Sequence, residues 1–379
     1  MHIVADENIP YVREAFERIG EVITASGRSM TADLVREADV LLVRSVTPVN
    51  EALLGDSRVR FVGTATIGTD HIDEAFLSKR GIAFVAAPGS NANSVAEYVA
   101  AALLVVAGRG GWDLAGRHIG VIGVGNVGSL VVAKAEALGM RAILNDPPLA
   151  RQTGDARYRP LDEALDADIV TLHVPLTREG PDATLHMVND RFLGRLRAGA
   201  VLLNTSRGGV VDTAALRRAL QTGRLEGAVL DVWENEPGID LDLLRRVDLG
   251  TSHIAGYSFD GKVNGTQMLY KAVCAWLGWP ADWRPVLPPP PVPAVTVRAE
   301  GEDGLREAVL AVYDIERDDA ALRGLLDLPA AERGPAFDRL RKDYPQRREF
   351  PNTTVTAPER LRLALVGLGF RVAAGADGA

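Results

Sequence analysis

Short apolar runs alternate with amphipathic segments along most of this chain. Residues 3–5 (IVA) are typical of a buried strand, and Pro10 suits the first turn of a helix whose apolar face includes Val12 and Phe16. Further strands are predicted at residues 40–43, 60–63 and 82–85. Because a helical pattern separates each strand from the next, the sequence predicts parallel βαβ units.

A second series of the same kind follows a long helix. This helix is predicted to be capped by Asn93 or Ser94 and to run to about Gly108. Because it is apolar nearly all round, we expect it to be buried between two units. Strands are predicted after it at residues 118–122, 142–144, 169–172, 201–203 and 228–230. Another helix, about residues 257–279, is expected to return to the first domain.

A proline-rich stretch at residues 280–293 then separates a last segment of mixed pattern. Four consecutive prolines favour an extended connector over a packed element. We predict three domains, namely residues 1–93 with 257–280, residues 94–256, and residues 281–379. The predicted fold class is α/β: two doubly wound parallel-sheet domains, Rossmann-like or flavodoxin-like, and a small α+β C-terminal domain.

Composition narrows the classes of function. The chain has 379 residues, enough for two or three domains, and its net charge of -8 with no basic stripe argues against a nucleic-acid partner. A single cysteine, Cys274, excludes a disulfide framework and a cysteine metal site, and we predict no metal. The longest apolar run, residues 99–107, is too short to cross a bilayer, and no signal peptide opens the chain. We expect a soluble cytoplasmic protein without a membrane partner.

A glycine loop at residues 123–128 (GVGNVG) lies between an apolar strand and a helical pattern. Its three glycines permit a tight turn, the approach of a pyrophosphate, and close packing of helix on strand. Asp146 ends the next strand, where a carboxylate accepts hydrogen bonds from ribose hydroxyls and repels a 2′-phosphate. The loop therefore predicts NAD rather than NADP. The alternative is a structural βα turn in which Asp146 is only a cap.

Three charged residues follow later predicted strands: Arg207 follows residues 201–203, Glu236 follows residues 228–230, and His253 follows a further predicted strand at residues 247–249. A guanidinium can hold a carboxylate, an imidazole can move a proton near neutral pH, and a carboxylate behind it can fix the tautomer. Because strand ends of a doubly wound sheet line the ligand crevice, we expect the three to converge. They predict hydride and proton transfer at a 2-hydroxy acid. Taken singly, each residue also fits a structural role: an ion-paired arginine, a turn glutamate before Pro237, or a polar residue near a helix start.

The ordered set of motifs resembles the D-isomer-specific 2-hydroxyacid dehydrogenases. The matching segments are residues 66–73, 123–128, 173–177, 204–208, 231–237 and 252–256. Over about the first 280 residues, the resemblance implies that Arg207 binds substrate, Glu236 partners the histidine, and His253 donates and accepts the proton. It implies that NAD is contacted by Gly123, Gly125, Asn126, Val127, Gly128, Asp146, Val174, Thr205, Ser206, Arg207, Asp231 and Gly256.

Four further segments resemble one branch of that family: residues 6–11, 44–50, 253–258 and 344–350. This resemblance implies a phosphorylated four-carbon 2-hydroxy acid as substrate, contacted by Ser45, Thr66 and Tyr257, with Arg44 as a phosphate partner. It also implies a homodimer formed through the C-terminal domain, with the first domain as a substrate-binding lid and the second as the NAD-binding domain. Two alternatives stay open: another D-2-hydroxy acid, chiefly 3-phosphoglycerate, and a non-catalytic NAD-sensing protein of the corepressor kind.

Overall fold

The computed structural model describes residues 1–373, which form two compact units. The first unit joins Met1–Asn91 to Ser258–Pro289, and the second joins Ala92–Tyr257 to the chain from Pro290 onward. Residues 374–379, the end of the predicted third domain, lie outside the described residues. The predicted division into three domains stays a prediction.

The first unit is built on a parallel sheet. Its strands are β1 (His2–Asp6), β2 (Glu21–Ala25), β3 (Val40–Val43), β4 (Phe61–Thr64) and β5 (Ala83–Val85), in the order β2-β1-β3-β4-β5. Its helices are α1 (Val12–Phe16), α2 (Ala32–Val35), α3 (Glu51–Leu54), α4 (Glu74–Lys79) and the long α12 (Phe259–Leu277). The central strands β3 and β4 are buried along their whole length, which explains why they read as unbroken apolar runs.

The second unit contains a larger parallel sheet. Its strands are β6 (His118–Ile122), β7 (Arg141–Asn145), β8 (Ile169–Leu172), β9 (Ala200–Asn204), β10 (Leu225–Leu230) and β11 (Leu249–Gly250), in the order β11-β10-β9-β8-β6-β7. Its helices before residue 257 are α5 (Ala92–Gly110), α6 (Asn126–Ala137), α7 (Pro147–Thr153), α8 (Leu161–Leu165), α9 (Asp190–Arg195), α10 (Thr213–Gln221) and α11 (Leu241–Leu244). The strand order reverses at β6, and ligands bind beside the carboxyl ends of strands at such a point.

The C-terminal segment adds a small parallel sheet and helices to this unit. The strands are β12 (Ala294–Thr296), β13 (Thr354–Thr356) and β14 (Arg371–Val372), and the helices are α13 (Gly301–Val312), α14 (Ile315–Arg323), α15 (Ala330–Lys342) and α16 (Arg362–Leu368). Apolar side chains from this segment, among them Phe350, Leu365 and Phe370, belong to the same buried core as helices α5 and α6. The predicted α/β class with parallel sheets is confirmed.

The predicted helix cap at Asn93 or Ser94 is wrong. Helix α5 begins at Ala92, so both residues lie inside its first turn. Their side chains instead donate to the carboxylate of Glu349, the amide nitrogen of Asn93 and the hydroxyl of Ser94 each at 2.7 Å. The two side chains that the local pattern assigned to capping therefore bind Glu349, a residue of the C-terminal segment.

Helices of sufficient length and apolarity to cross a bilayer do not occur among residues 1–373.

Candidate active site

The glycine loop after β6 has the geometry that its sequence pattern requires. Gly123 has φ +85°, and a Cβ on it would lie 2.7 Å from the carbonyl oxygen of His173 and 3.0 Å from Val174. A Cβ on Gly128 would lie 2.0 Å from the carbonyl oxygen of Gly123. At Gly125 a Cβ would meet no protein atom within 4 Å, so the space in front of the loop is open to a ligand. Because α6 starts directly after Gly125, its free amides can receive a phosphate there, and the loop fits a dinucleotide.

Asp146 has two structural tasks at the end of β7. Its Oδ2 accepts from the amide of Val124 in the glycine loop at 2.8 Å, and its Oδ1 accepts from the amide of Leu149 at 3.0 Å, which caps α7. The capping alternative considered from the sequence is therefore part of its role. Each carboxylate oxygen can accept a second hydrogen bond, so a ribose diol can still be bound.

The loop after β9 is held by a buried asparagine. The side-chain oxygen of Asn204 accepts from the amide of Ser206 at 3.0 Å and from its hydroxyl at 2.7 Å, while its amide nitrogen donates to the carbonyl of Arg207 at 3.0 Å. A Cβ on Gly208 would lie 1.9 Å from the carbonyl oxygen of Trp233. Only glycine permits this approach, which brings the Arg207 loop against the segment that leads to Glu236.

Glu236 and His253 form a hydrogen-bonded pair. His253 Nδ1 lies 2.8 Å from Glu236 Oε2, and the other carboxylate oxygen accepts from the amide of Trp233 at 2.8 Å. The bond to a carboxylate places the proton on Nδ1, which leaves Nε2 to exchange a proton with a ligand. The imidazole is accessible, with 35% of the His253 side-chain surface exposed against 19% for Glu236.

Electrostatics keep the Glu236 carboxyl ionised. Burial, the largest single influence, opposes ionisation, but the hydrogen bond and charge of His253, the Trp233 amide and the charge of Arg341 together hold its pKa below the usual range. An ionised carboxylate at this distance stabilises an imidazolium, so the pair can accept a proton at Nε2 and return it.

Asp231 shapes the backbone that carries His253. Its Oδ1 accepts from the hydroxyl of Thr251 at 2.6 Å and from the amide of Ile254 at 2.7 Å, and its Oδ2 accepts from the amide of Ala255 at 3.0 Å. The amide of His253 donates to the carbonyl of Asp231 at 2.7 Å. The fully buried carboxylate therefore clasps the loop, which supports the left-handed backbone of His253, φ +59°.

Two segments of the chain match known protein families. Residues 95–255 match the family described as "D-isomer specific 2-hydroxyacid dehydrogenase, NAD binding domain", and residues 286–369 match a domain of unknown function, DUF3410. The erythronate-4-phosphate dehydrogenases of Cronobacter sakazakii and Salmonella arizonae are each 46% identical to this chain over 375 residues, which is 98% of this chain and 98% of each relative.

The chain belongs to the erythronate-4-phosphate dehydrogenase family.

Solved structures extend the likeness to the wider class. A D-lactate dehydrogenase from Aquifex aeolicus, complexed with NAD and lactic acid, is 28% identical, with a TM-score of 0.60 over 73% of this chain and 95% of its own. A 3-phosphoglycerate dehydrogenase from Entamoeba histolytica is 23% identical, with a TM-score of 0.63 over 73% of this chain and 95% of its own. At this identity the likeness is evidence for a shared fold only. The predicted resemblance, NAD as cofactor and a dehydrogenase activity are confirmed for this member of the erythronate-4-phosphate dehydrogenase family.

Each residue expected to contact substrate is described within its own unit. Ser45 follows β3 and is exposed, and Thr66 follows the neighbouring β4, where its hydroxyl donates to the carbonyl of Gly68 at 3.0 Å. Tyr257 is in the second unit, four residues after His253. Their contacts with substrate stay predictions, as do the assigned roles of the other site residues.

Three side chains near the erythronate-4-phosphate dehydrogenase site were not singled out for it from the sequence. Arg341 donates to the Tyr257 hydroxyl at 3.2 Å, and the ring of Tyr344 stands edge-on to that of Tyr257, 6.0 Å between centroids. His173 lies in a strand context that favours a structural role. Burial lowers the pKa of its imidazole to about 3, so it stays neutral and hydrogen-bonds Thr205 at 3.2 Å. Tyr344 opens the resembling segment 344–350, whereas Arg341 lies in a charged helical stretch that reads as a solvated face.

Replacing Asp146 with serine is expected to weaken the preference for NADH over NADPH by about 10- to 100-fold, because a charge-assisted hydrogen bond is lost and a 2′-phosphate is no longer repelled. Serine keeps a cap for α7. Fluorescence titration with the two reduced dinucleotides measures the ratio of dissociation constants. Asp212→Ser is the matched control, since Asp212 caps α10 through the Ala215 amide at 3.0 Å. An unchanged ratio in Asp146→Ser would contradict the assignment.

Proposed function

We propose that the protein oxidises 4-phospho-D-erythronate to (R)-3-hydroxy-2-oxo-4-phosphobutanoate with NAD, a step of pyridoxal 5′-phosphate (vitamin B6) biosynthesis. The observation that carries the chemistry is the 2.8 Å bond between His253 Nδ1 and Glu236 Oε2, in the unit that also contains the glycine loop. The substrate is supported by the 46% identity over 98% of the chain with proteins named for it.

His253 and Glu236 move the proton. Nε2 of His253 takes the proton of the C2 hydroxyl as the C2–H bond breaks, and returns it in the reverse direction. Glu236 holds the Nδ1 proton, orients the ring and stabilises the imidazolium that forms. NAD, when bound, accepts the hydride that leaves C2.

Arg207 holds the substrate carboxylate. A planar guanidinium binds a carboxylate through two parallel hydrogen bonds, which fixes the orientation of C2. Its loop is braced by Asn204, so the guanidinium starts from a fixed backbone. Ser45, Thr66 and Tyr257 supply hydroxyl contacts to the rest of the substrate, and Arg44 is the proposed phosphate partner.

A substrate comparison tests the proposed function. Production of NADH is measured with 4-phosphoerythronate, 3-phosphoglycerate and unphosphorylated erythronate, with a carbonyl trap present because equilibrium favours the hydroxy acid. We expect the highest kcat/KM for 4-phosphoerythronate. A higher value for 3-phosphoglycerate would favour that alternative substrate, and NADH binding without turnover of any acid would favour the NAD-sensing alternative.

The proposal also includes the three-domain organisation and a homodimer formed through the C-terminal domain. It further includes a cytoplasmic location without nucleic-acid or membrane partners. Two apolar side chains on α16 support the dimer, since 85% of Leu363 and 53% of Val366 are exposed. The net charge of -8 supports the absence of nucleic acid. Light scattering on the full chain tests the dimer, and the mass of a single chain would overturn it.

A further inference from the structure

Arg341 lies near the end of α15, in the C-terminal segment, yet its side chain reaches the catalytic region of the same unit. Its Nη2 donates to the Tyr257 hydroxyl at 3.2 Å, and its guanidinium carbon lies 5.8 Å from the centroid of the Tyr257 ring. The same side chain therefore contacts both the polar and the aromatic part of Tyr257. Such a pair of contacts fixes the ring in position and in rotation.

A second residue of the segment completes the support of this ring. Tyr344 packs edge-on against Tyr257 at an interplanar angle of 83°. Its own hydroxyl donates to Asp318 Oδ2 at 2.7 Å, so Tyr344 is itself anchored. The Tyr257 side chain thus rests on two residues of the C-terminal segment.

The charge of Arg341 also acts on the catalytic pair, since it helps to lower the pKa of Glu236. Among the described residues its guanidinium forms no ion pair with a carboxylate, and its Nε is buried without a hydrogen-bond partner. Burying a cation without a salt bridge costs solvation free energy. A protein keeps such a cation where its charge acts on a neighbouring group. The carboxylates whose fields it feels are those of Glu236 and Asp231.

We propose that Arg341 is a positioning residue of the active site, which holds Tyr257 in place and supplies positive charge beside the Glu236–His253 pair. This inference rests on the proposed function. It makes the C-terminal segment a working part of the active site in addition to its proposed role in dimerisation. Lysine would not replace arginine fully, because it lacks the planar group that can lie over the ring while donating to its hydroxyl.

Steady-state kinetics of Arg341→Met test the positioning role. We expect kcat to fall by about tenfold or more, since small displacements of a positioned group cost that much. NADH affinity and the thermal midpoint should stay near those of the unaltered protein. Arg339→Met is the matched control, because Arg339 lies on the same helix with an exposed side chain, and it should keep full activity. Arg341→Lys should recover only part of the lost kcat.

A coupling measurement shows whether Arg341 acts through Tyr257. Tyr257→Phe removes the hydroxyl that Arg341 contacts, so its effect on kcat should be smaller in the Arg341→Met background than in the unaltered protein. Strictly additive effects would contradict a role through Tyr257. A rise in KM alone, with kcat unchanged, would also overturn the proposal, because it would make Arg341 a plain substrate-binding residue.

A readout independent of turnover separates this inference from the proposed function. The carboxyl carbon of Glu236, assigned with Glu236→Gln, is titrated by ¹³C NMR. Loss of the Arg341 charge destabilises the carboxylate, so the Glu236 pKa should rise in Arg341→Met and stay nearly unchanged in Arg341→Lys and Arg339→Met. A Glu236 pKa that does not move in Arg341→Met would refute the electrostatic part. If the Glu236 pKa rises in Arg341→Met but the protein oxidises none of the acids, the electrostatic part stands and the proposed function fails.

Discussion

Replacing His253 with asparagine is expected to lower kcat by about 10²- to 10⁴-fold, the range usual for loss of a general acid–base. Asparagine is the informative substitution because His253 has φ +59°, a left-handed conformation that asparagine adopts readily and alanine does not. The fold and the dinucleotide loop should therefore be preserved. The measurement is NADH formation from 4-phosphoerythronate, with NADH affinity and the thermal midpoint recorded alongside.

The chain offers a closely matched control for this substitution. His186 also has a left-handed backbone, φ +49°, and its Nε2 lies 2.6 Å from Glu234 Oε1. It is thus a second histidine–glutamate pair with the same backbone requirement, but without an assigned role in the reaction. His186→Asn should keep kcat within a few fold. If His253→Asn and His186→Asn lose activity equally, His253 does not carry the proton.

Replacing Glu97 with glutamine is expected to make the protein more stable at pH 8, with little change at pH 5. Glu97 is fully buried on α5, and its Oε1 accepts from the Asn93 side chain at 2.9 Å and from the Phe350 amide at 2.8 Å. Burial, and then the nearby charge of Glu349, raise the pKa of Glu97 to about 8. The neutral carboxyl is therefore the form that the folded protein prefers.

The sign of the pH dependence follows from the raised pKa. The folded state retains a proton on Glu97 that the unfolded chain releases near pH 4.5, so this contribution to stability is complete below that pH. It is lost as the pH rises through the folded pKa of about 8. Between these limits the free energy of unfolding of the unaltered protein, relative to Glu97→Gln, should fall by about 2 to 4 kcal/mol.

Urea unfolding at pH 5, 6.5 and 8 measures this difference. The control is Glu136→Gln on α6, in the same unit, where the side chain is exposed. The stability difference between Glu136→Gln and the unaltered protein should not depend on pH. A difference between Glu97→Gln and the unaltered protein that is equally flat would show that Glu97 is ionised in the folded state.

Much of the framework was accessible from local pattern. Strands β3 and β4 are buried on both faces, so they can be recognised in the sequence as unbroken apolar runs. The glycine loop could be predicted because its pattern is itself a signal: neither Gly123 nor Gly128 has room for a Cβ, so both positions require glycine. The Arg207, Glu236 and His253 set follows strand ends, and the structure joins Glu236 to His253 directly.

Other features depend on partners that no local pattern reveals. Asn93 and Ser94 look like a helix cap, but they bond to Glu349, more than 250 positions further along the chain. Asp146 combines capping with a bond to the glycine loop, so neither interpretation alone described it. Arg341 has no sequence signal, because a cation on a charged helix looks the same whether it faces water or an aromatic ring.

The shared core of α5, α6 and the C-terminal segment has a consequence for synthesis on the ribosome. Ser94 and Glu349 are 255 residues apart, which at about 5–20 residues per second separates their synthesis by about 13 to 50 seconds. During that interval α5 has emerged, while the C-terminal members of its core, such as Phe350, Leu365 and Phe370, do not yet exist. We therefore expect part of the α5 surface to stay exposed until residues 350–370 have been made, and a polypeptide truncated before them lacks part of this core.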